Sequence, residues 1–163
     1  MGAGKTTVVS TLLGQLVQKD YSMTFEPKVF SKRVRVGKED YSTIIIVDTP
    51  GIETMSYLNV PLFSNDVTFC YVFDANRPGA LREIEEDFIQ KTHKIRGDNV
   101  GFLIGTHHDT LSSSSGVSPI EGATFAEDNN LYYIQFKKGI SPTELEQQLL
   151  QSQSRRLDDE DEE

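Results

Sequence analysis

The chain has one cysteine, Cys70, no tryptophan, and no apolar run approaching the ~20 residues that a bilayer span requires. A single cysteine excludes a cystine scaffold, and the N-terminus lacks the charged-then-apolar pattern of a secretory signal. There is also no basic excess: 16 Lys and Arg stand against 25 Asp and Glu, a formal net charge of −9. Six of those charges belong to Asp158 through Glu163, which leaves the other 157 residues at only −3. A nearly neutral body with an acidic end is unsuited to electrostatic capture of nucleic acid or anionic lipid, and the expected compartment is cytoplasmic. What the chain does have is 163 residues, 37% of them apolar, enough for one domain with a buried core.

Val8, Val9, Leu12, Leu13, Leu16 and Val17 recur at helical spacing and predict a helix ending near Lys19. Val29 to Val36 alternates as a strand and turns through Gly37 to Asp40 into a buried strand over Ser42 to Val47. A β-rich run, Val67 to Phe73, precedes a helical pattern from about Ala80 to His93 with Leu81, Ile84 and Phe88 on one side. Further strands are expected at Val100 to Ile104 and Leu131 to Phe136. Ser141, Pro142 and Glu144 form a capping-box pattern opening a last helix to about Arg156. Strands alternating with helices indicate an α/β sheet covered on both faces. Residues 110 to 130, rich in Ser and without an apolar period, predict a short or missing helix. Cys70, inside an apolar run, is expected in the core.

Two motifs carry chemistry. Gly2-Ala3-Gly4-Lys5-Thr6-Thr7 opens the first helix in the manner of a phosphate-binding loop: backbone amides converge on phosphate oxygens, Lys5 neutralises them, and Thr6 offers a hydroxyl to Mg²⁺. Asp48-Thr49-Pro50-Gly51 follows a strand, 43 residues beyond Lys5. There a carboxylate can hold Mg²⁺ through water and a glycine amide can meet a γ-phosphate. His107 and His108 are adjacent and would point opposite ways on an extended segment, so they are not read as a metal pair. His93 is read as a solvated or dipole-facing side chain.

At these residues the chain resembles the Ras-like small GTPases. Tyr21-Ser22-Met23-Thr24 lies where that family places its Mg²⁺-closing threonine, 19 residues after Lys5. Thr106-His107-His108-Asp109 corresponds to the family's Asn-Lys-x-Asp base motif, with Asp109 able to accept from both guanine N–H groups. Thr106 replaces part of an asparagine's bonding, His107 can stack where a lysine stem lies, and Lys138 matches the lysine of a later motif. The resemblance implies a three-layer P-loop G domain over residues 1–156 with a mostly parallel sheet, and an acidic disordered tail over 157–163. It implies GTP or GDP with Mg²⁺, the metal held by Thr6, Thr24 and Asp48, and protein partners contacted through switch loops. The family's water-orienting glutamine is here Ile52, followed by Glu53, so slow or absent hydrolysis is expected, with Thr24, Gly51 and Glu53 as catalytic candidates.

A narrower resemblance is to the Rab-like subunits of intraflagellar transport, which implies a ciliary location within a larger complex. It rests on Tyr21-Ser22-x-Thr24, the Asp74-Ala75-Asn76-x-Pro78 stretch after Val72-Phe73, the His-His pair, the serine tract and the lack of C-terminal cysteines for a lipid anchor. Met1-Gly2 formally fits an acylation signal, but Gly2 belongs to the phosphate loop. In the family a central strand and one more glycine precede this point. Its first central strand is therefore missing from this chain, and about ten to fifteen residues, a strand with its turn, are expected upstream, with Met1 an internal or truncated start. Two alternatives remain open: an interaction module with a relic nucleotide site, and a P-loop small-molecule kinase, the latter lacking the arginine-rich lid that such chemistry needs.

Overall fold

A computed structural model describes residues 2–17, 24–51, 67–96, 101–110 and 115–150. The chain forms two compact units, one of Met1–Gly4 with Ile52–Gly139 and one of Lys5–Gly51 with Ile140–Glu163.

The unit beginning at Lys5 contains α1 (Lys5–Leu12), β1 (Lys28–Arg35), β2 (Tyr41–Asp48) and a helix α5 over 142–150. α1 stops seven residues before the expected Lys19. Gly14 adopts φ +69°, its N–H bonds to Thr11 O at 2.9 Å, and Gln15 N–H bonds to Ser10 O at 2.8 Å. That double return is a Schellman cap, which needs a residue free to enter the left-handed region. Leu16, expected on the buried face, is 96% exposed as a result. Lys32 of β1 seals the same end, donating from Nζ to Leu12 O at 2.5 Å and pairing with Glu146 of α5 at 2.8 Å. A cation on the last carbonyls of a helix is favoured by its dipole.

β1 and β2 pair antiparallel from Lys28↔Asp48 to Arg35↔Tyr41. Opposite residues share a face, so Val29, Arg33 and Arg35 lie with Tyr41, Thr43 and Ile45 on one side. That side is open: Val29 and Ile45 are largely exposed. The expectation of a buried strand over Ser42 to Val47 therefore fails: Ser42, Thr43 and Ile45 are exposed, Ile44, Ile46 and Val47 are half-buried, and burial begins only at Asp48, the strand's last residue. The inward side carries Val34, which is buried with Val8, Leu12 and Leu145.

The other unit contains β3 (Phe69–Asp74), a long helix, β4 (Gly101–Thr106), a 3₁₀ turn (His108–Thr110), α4 (Pro119–Asp128) and β5 (Leu131–Gln135). The strands are parallel in the order β3-β4-β5. β4 lies in the middle with all six residues buried, which is why it reads as an unbroken apolar run. Cys70 corrects the core expectation: it is exposed, because alternate β3 residues face opposite ways and the core takes Tyr71 and Phe73.

The long helix runs as α2 (Ala80–Ile84), a π-turn (Glu85–Ile89) and α3 (Gln90–Arg96). The π-turn inserts one residue into the helical period. The buried positions are consequently Ala80, Ile84 and Ile89, while Phe88, predicted to face inward, is exposed. α4, ten residues long, corrects the expectation of a short or missing helix. Ser118 caps it, accepting from Glu121 N–H at 3.2 Å, and Glu121 Oε2 accepts from Ser118 N–H at 2.7 Å, with Pro119 in the first turn. The helix lacked an apolar period because its inward positions are Gly122 and Ala126. At Gly122 a Cβ would come within 2.7 Å of the Tyr133 ring, so only glycine permits this approach of helix to strand. In α5 the expected cap is present, Glu144 N–H donating to Ser141 Oγ at 3.1 Å. Its expected end at Arg156 and the acidic tail lie outside the described residues.

Candidate functional site

In the unit that begins at Lys5, three separate stretches converge at the N-terminus of α1. Thr6 Oγ1 donates to Asp48 Oδ2 at 2.7 Å, and the Thr6 and Thr24 hydroxyls are 3.1 Å apart. Asp48, the last residue of β2, is 2% exposed, and its second oxygen, Oδ1, is buried without a hydrogen-bond partner among the described residues. Lys5 lies beside Gly51: a Cβ added there would sit 3.3 Å from the Lys5 Nζ. Burial lowers the Lys5 pKa, and the nearby Asp48 carboxylate partly offsets this.

A buried carboxylate with one oxygen unbonded is costly unless something of positive charge completes its shell. Two hydroxyls and one bare carboxylate oxygen are the hard oxygen donors that Mg²⁺ prefers. The donor set therefore fits Mg²⁺, and Lys5 supplies the adjacent positive charge that a polyphosphate requires. Thr7 stands in the first turn, half-buried. Tyr21, Ser22 and Met23 lie outside the described residues, as do Ile52 and Glu53.

In the other unit the residues of the base motif meet the glycine turn. Gly4 has φ +83° and packs against Thr106, whose Cγ2 would stand 3.3 Å from a Cβ at that position. Both the left-handed backbone and the tight approach select glycine. Thr106 is 3% exposed, and its Oγ1 lies 3.0 Å from Ala3 O, 2.9 Å from Phe73 O and 3.0 Å from His107 Nδ1. One hydroxyl hydrogen can serve only one carbonyl at a time, and the oxygen's lone pairs leave it free to accept from an Nδ1–H of His107. The threonine thus keeps the tether to the glycine turn with a single atom. Gly2 is exposed with φ +77°.

The two histidines diverge. His107 has φ +60° and remains on the surface, its Nδ1 3.3 Å from Asp74 Oδ1. His108 turns inward and bonds through Nε2 to Tyr133 Oη at 2.8 Å, standing edge-on to the rings of Phe73 and Tyr133. Desolvation lowers the His108 pKa, and the neighbouring Asp109 partly opposes it; burial pushes the Tyr133 phenol up to about 12. Asp109 and Lys138 are exposed. Reading the sequence missed Asp74 and Asn76 as members of this cluster; an Asp two residues before an Asn at a strand end is the signal that marks such a turn.

The α/β architecture, a glycine turn opening a helix and an acidic strand end beside its lysine together define a P-loop nucleotide-binding fold. The Ras family model matches residues 1–145, and the chain belongs to that family of small GTPases. Proteins of this family bind GTP or GDP, typically with Mg²⁺. The comparison with curated proteins returns no match. No described helix is long and apolar enough to cross a membrane.

Proposed function

We propose that the chain is a guanine-nucleotide switch in which Gly2, Ala3, Gly4, Lys5, Thr6 and Thr7 receive the phosphates. Thr6, Thr24 and Asp48 hold Mg²⁺, Gly51 offers its amide to the γ-phosphate, and Thr106, His107, Asp109 and Lys138 serve the base. The observation that carries this reading is the unbonded, buried Asp48 Oδ1 beside the hydroxyls of Thr6 and Thr24, with the Lys5 ammonium next to Gly51. When bound, Mg²⁺ draws charge from the β and γ phosphates. Lys5 adds a fixed cation, and Thr24 links the state of its loop to the metal, so that loss of the γ-phosphate releases a partner-binding surface. Intrinsic turnover is at or below the slow rate of an unaided Ras site, about 10⁻⁴ to 10⁻³ per second, because Ile52 has no polar group with which to orient water.

Thermal unfolding with GTP·Mg²⁺ and with ATP·Mg²⁺ tests the reading. Stabilisation by the guanine nucleotide alone is expected, since Asp109 accepts from a donor pair that adenine lacks. Equal stabilisation by both would favour a P-loop kinase. No stabilisation by either would favour an interaction module with a relic site, the reading that the replaced glutamine and asparagine positions support.

Within the family we place the chain among the Rab-like subunits of intraflagellar transport, working in the cytoplasm and cilium as part of a larger complex. Asp74-Ala75-Asn76 and the His107-His108 pair support this placement. A tagged chain absent from cilia would contradict it.

A further inference from the structure

His107 is held in a backbone conformation that residues with side chains adopt at a cost, φ +60°. Such strain persists only where the surroundings over-determine it. Here they do. The His107 carbonyl accepts from Thr110 N–H at 3.2 Å, from Thr110 Oγ1 at 3.0 Å and from Asn76 Nδ2 at 3.3 Å. Asn76 Nδ2 also donates to Thr110 Oγ1 at 2.9 Å, so one side chain from the end of β3 braces the whole turn. Asp74 holds Asn76 in turn: its Oδ1 accepts from Asn76 N–H at 2.9 Å. The same oxygen lies 3.3 Å from His107 Nδ1. Backbone and ring of one surface histidine are thereby held from the ends of two neighbouring strands, Asp74 and Asn76 of β3 and its turn and, 3.0 Å from the same ring nitrogen, Thr106 of β4.

We propose that Asp74 is a positioning residue for His107, setting the tautomer and rotation of the imidazole so that the ring stands as a rigid wall for the purine. The inference rests on the guanine-nucleotide reading above. A carboxylate only accepts, so its 3.3 Å approach favours the proton on Nδ1, and that one N–H is shared between Asp74 Oδ1 and the nearer Thr106 Oγ1 at 3.0 Å, the threonine oxygen accepting while its own hydrogen goes to a carbonyl. In the neutral ring Nε2 is then bare, and the imidazole cannot donate to the base from that edge. A flat ring whose one N–H is already engaged contributes stacking, which every purine offers, while discrimination stays with Asp109.

Equilibrium binding of GDP and IDP with Mg²⁺ separates this role from mere closure of the turn. Asp74→Ser keeps a side-chain oxygen for Asn76 N–H but is too short to reach His107. It is expected to weaken GDP and IDP by the same factor, within the about 5- to 150-fold that a stacking contact supplies, and so to leave their ratio unchanged. Asp74→Asn, which retains the reach, restores affinity. In a His107→Ala background, Asp74→Ser adds no further loss, because a residue that acts through another is silent without it. A wild-type chain that binds neither nucleotide overturns the guanine-nucleotide reading, and this inference with it. Wild-type binding left unchanged by Asp74→Ser, or losses that add in the double variant, overturns the inference alone.

Discussion

Asp48→Asn tests whether the buried carboxylate serves a ligand or merely ends a strand. Asparagine has the same shape and can still accept from Thr6 Oγ1, the 2.7 Å bond seen in the structure. It removes a charge that is 2% exposed and half-satisfied, so without ligand the variant should be as stable as wild type or more stable. With Mg²⁺ and nucleotide the sign reverses. A ligand at 100 times its dissociation constant stabilises the native state by about 2.7 kcal/mol. Loss of a group that orients bound metal weakens affinity by about 10- to 100-fold. At the same ligand concentration the stabilisation then falls to about 1.4 or about 0.4 kcal/mol. For a chain of this length each kcal/mol moves the melting temperature by about 2–4 °C, so the ligand-induced shift should shrink by about 3–9 °C. Scanning calorimetry of both proteins, with and without GDP·Mg²⁺, measures all four values. An equal loss of stability in the free and loaded states would refute the reasoning, since a purely structural aspartate is needed in both.

Thr106→Val removes one hydroxyl from a buried site while keeping shape, leaving Ala3 O or Phe73 O without its donor. A loss of about 2 kcal/mol is expected, or about 4–8 °C in melting temperature, checked by circular dichroism. His108 gives a pH dependence of definite sign. Its pKa is lowered on folding from about 6.5, so the unfolded chain binds the proton more tightly. The contribution is fully present above the unfolded value and is lost as pH falls from there toward the lowered one. Urea unfolding at pH 7.5 and 5.5 should show this loss, and His108→Gln should reduce the difference; an unchanged difference would count against the buried imidazole as its source.

The phosphate motif and the acidic strand end were legible in the sequence because both depend on residue type at fixed offset from a helix or strand boundary. Lys5, Thr6, Thr24, Asp48 and Gly51 stand together as that spacing implied. Where periodicity alone was followed, the reading went wrong in ways that the structure explains. The apolar period continues past Gly14 to Leu16, whereas the left-handed backbone of Gly14 ends α1 and leaves Leu16 exposed. The extra residue of the π-turn exchanged Phe88 for Ile89, and no single-period pattern anticipates such a change. α4 escaped because Gly122 and Ala126 make a face too small to register as apolar, although Ser118-Pro119-x-Glu121 repeats the capping pattern that identified α5. Asp74 and Asn76 escaped because their importance lies in contacts with His107 and Thr110, some thirty residues away. The Asp-x-Asn turn itself is visible locally, but which distant residues its side chains will hold is not.

The most direct measurement is titration calorimetry of the full chain with GDP and excess Mg²⁺, repeated after addition of ATP and after chelation of the metal. The account predicts one GDP per chain, with affinity undisturbed by ATP and sharply reduced by chelation. Binding that ATP displaces as readily as GTP does, or that ignores removal of Mg²⁺, would contradict it.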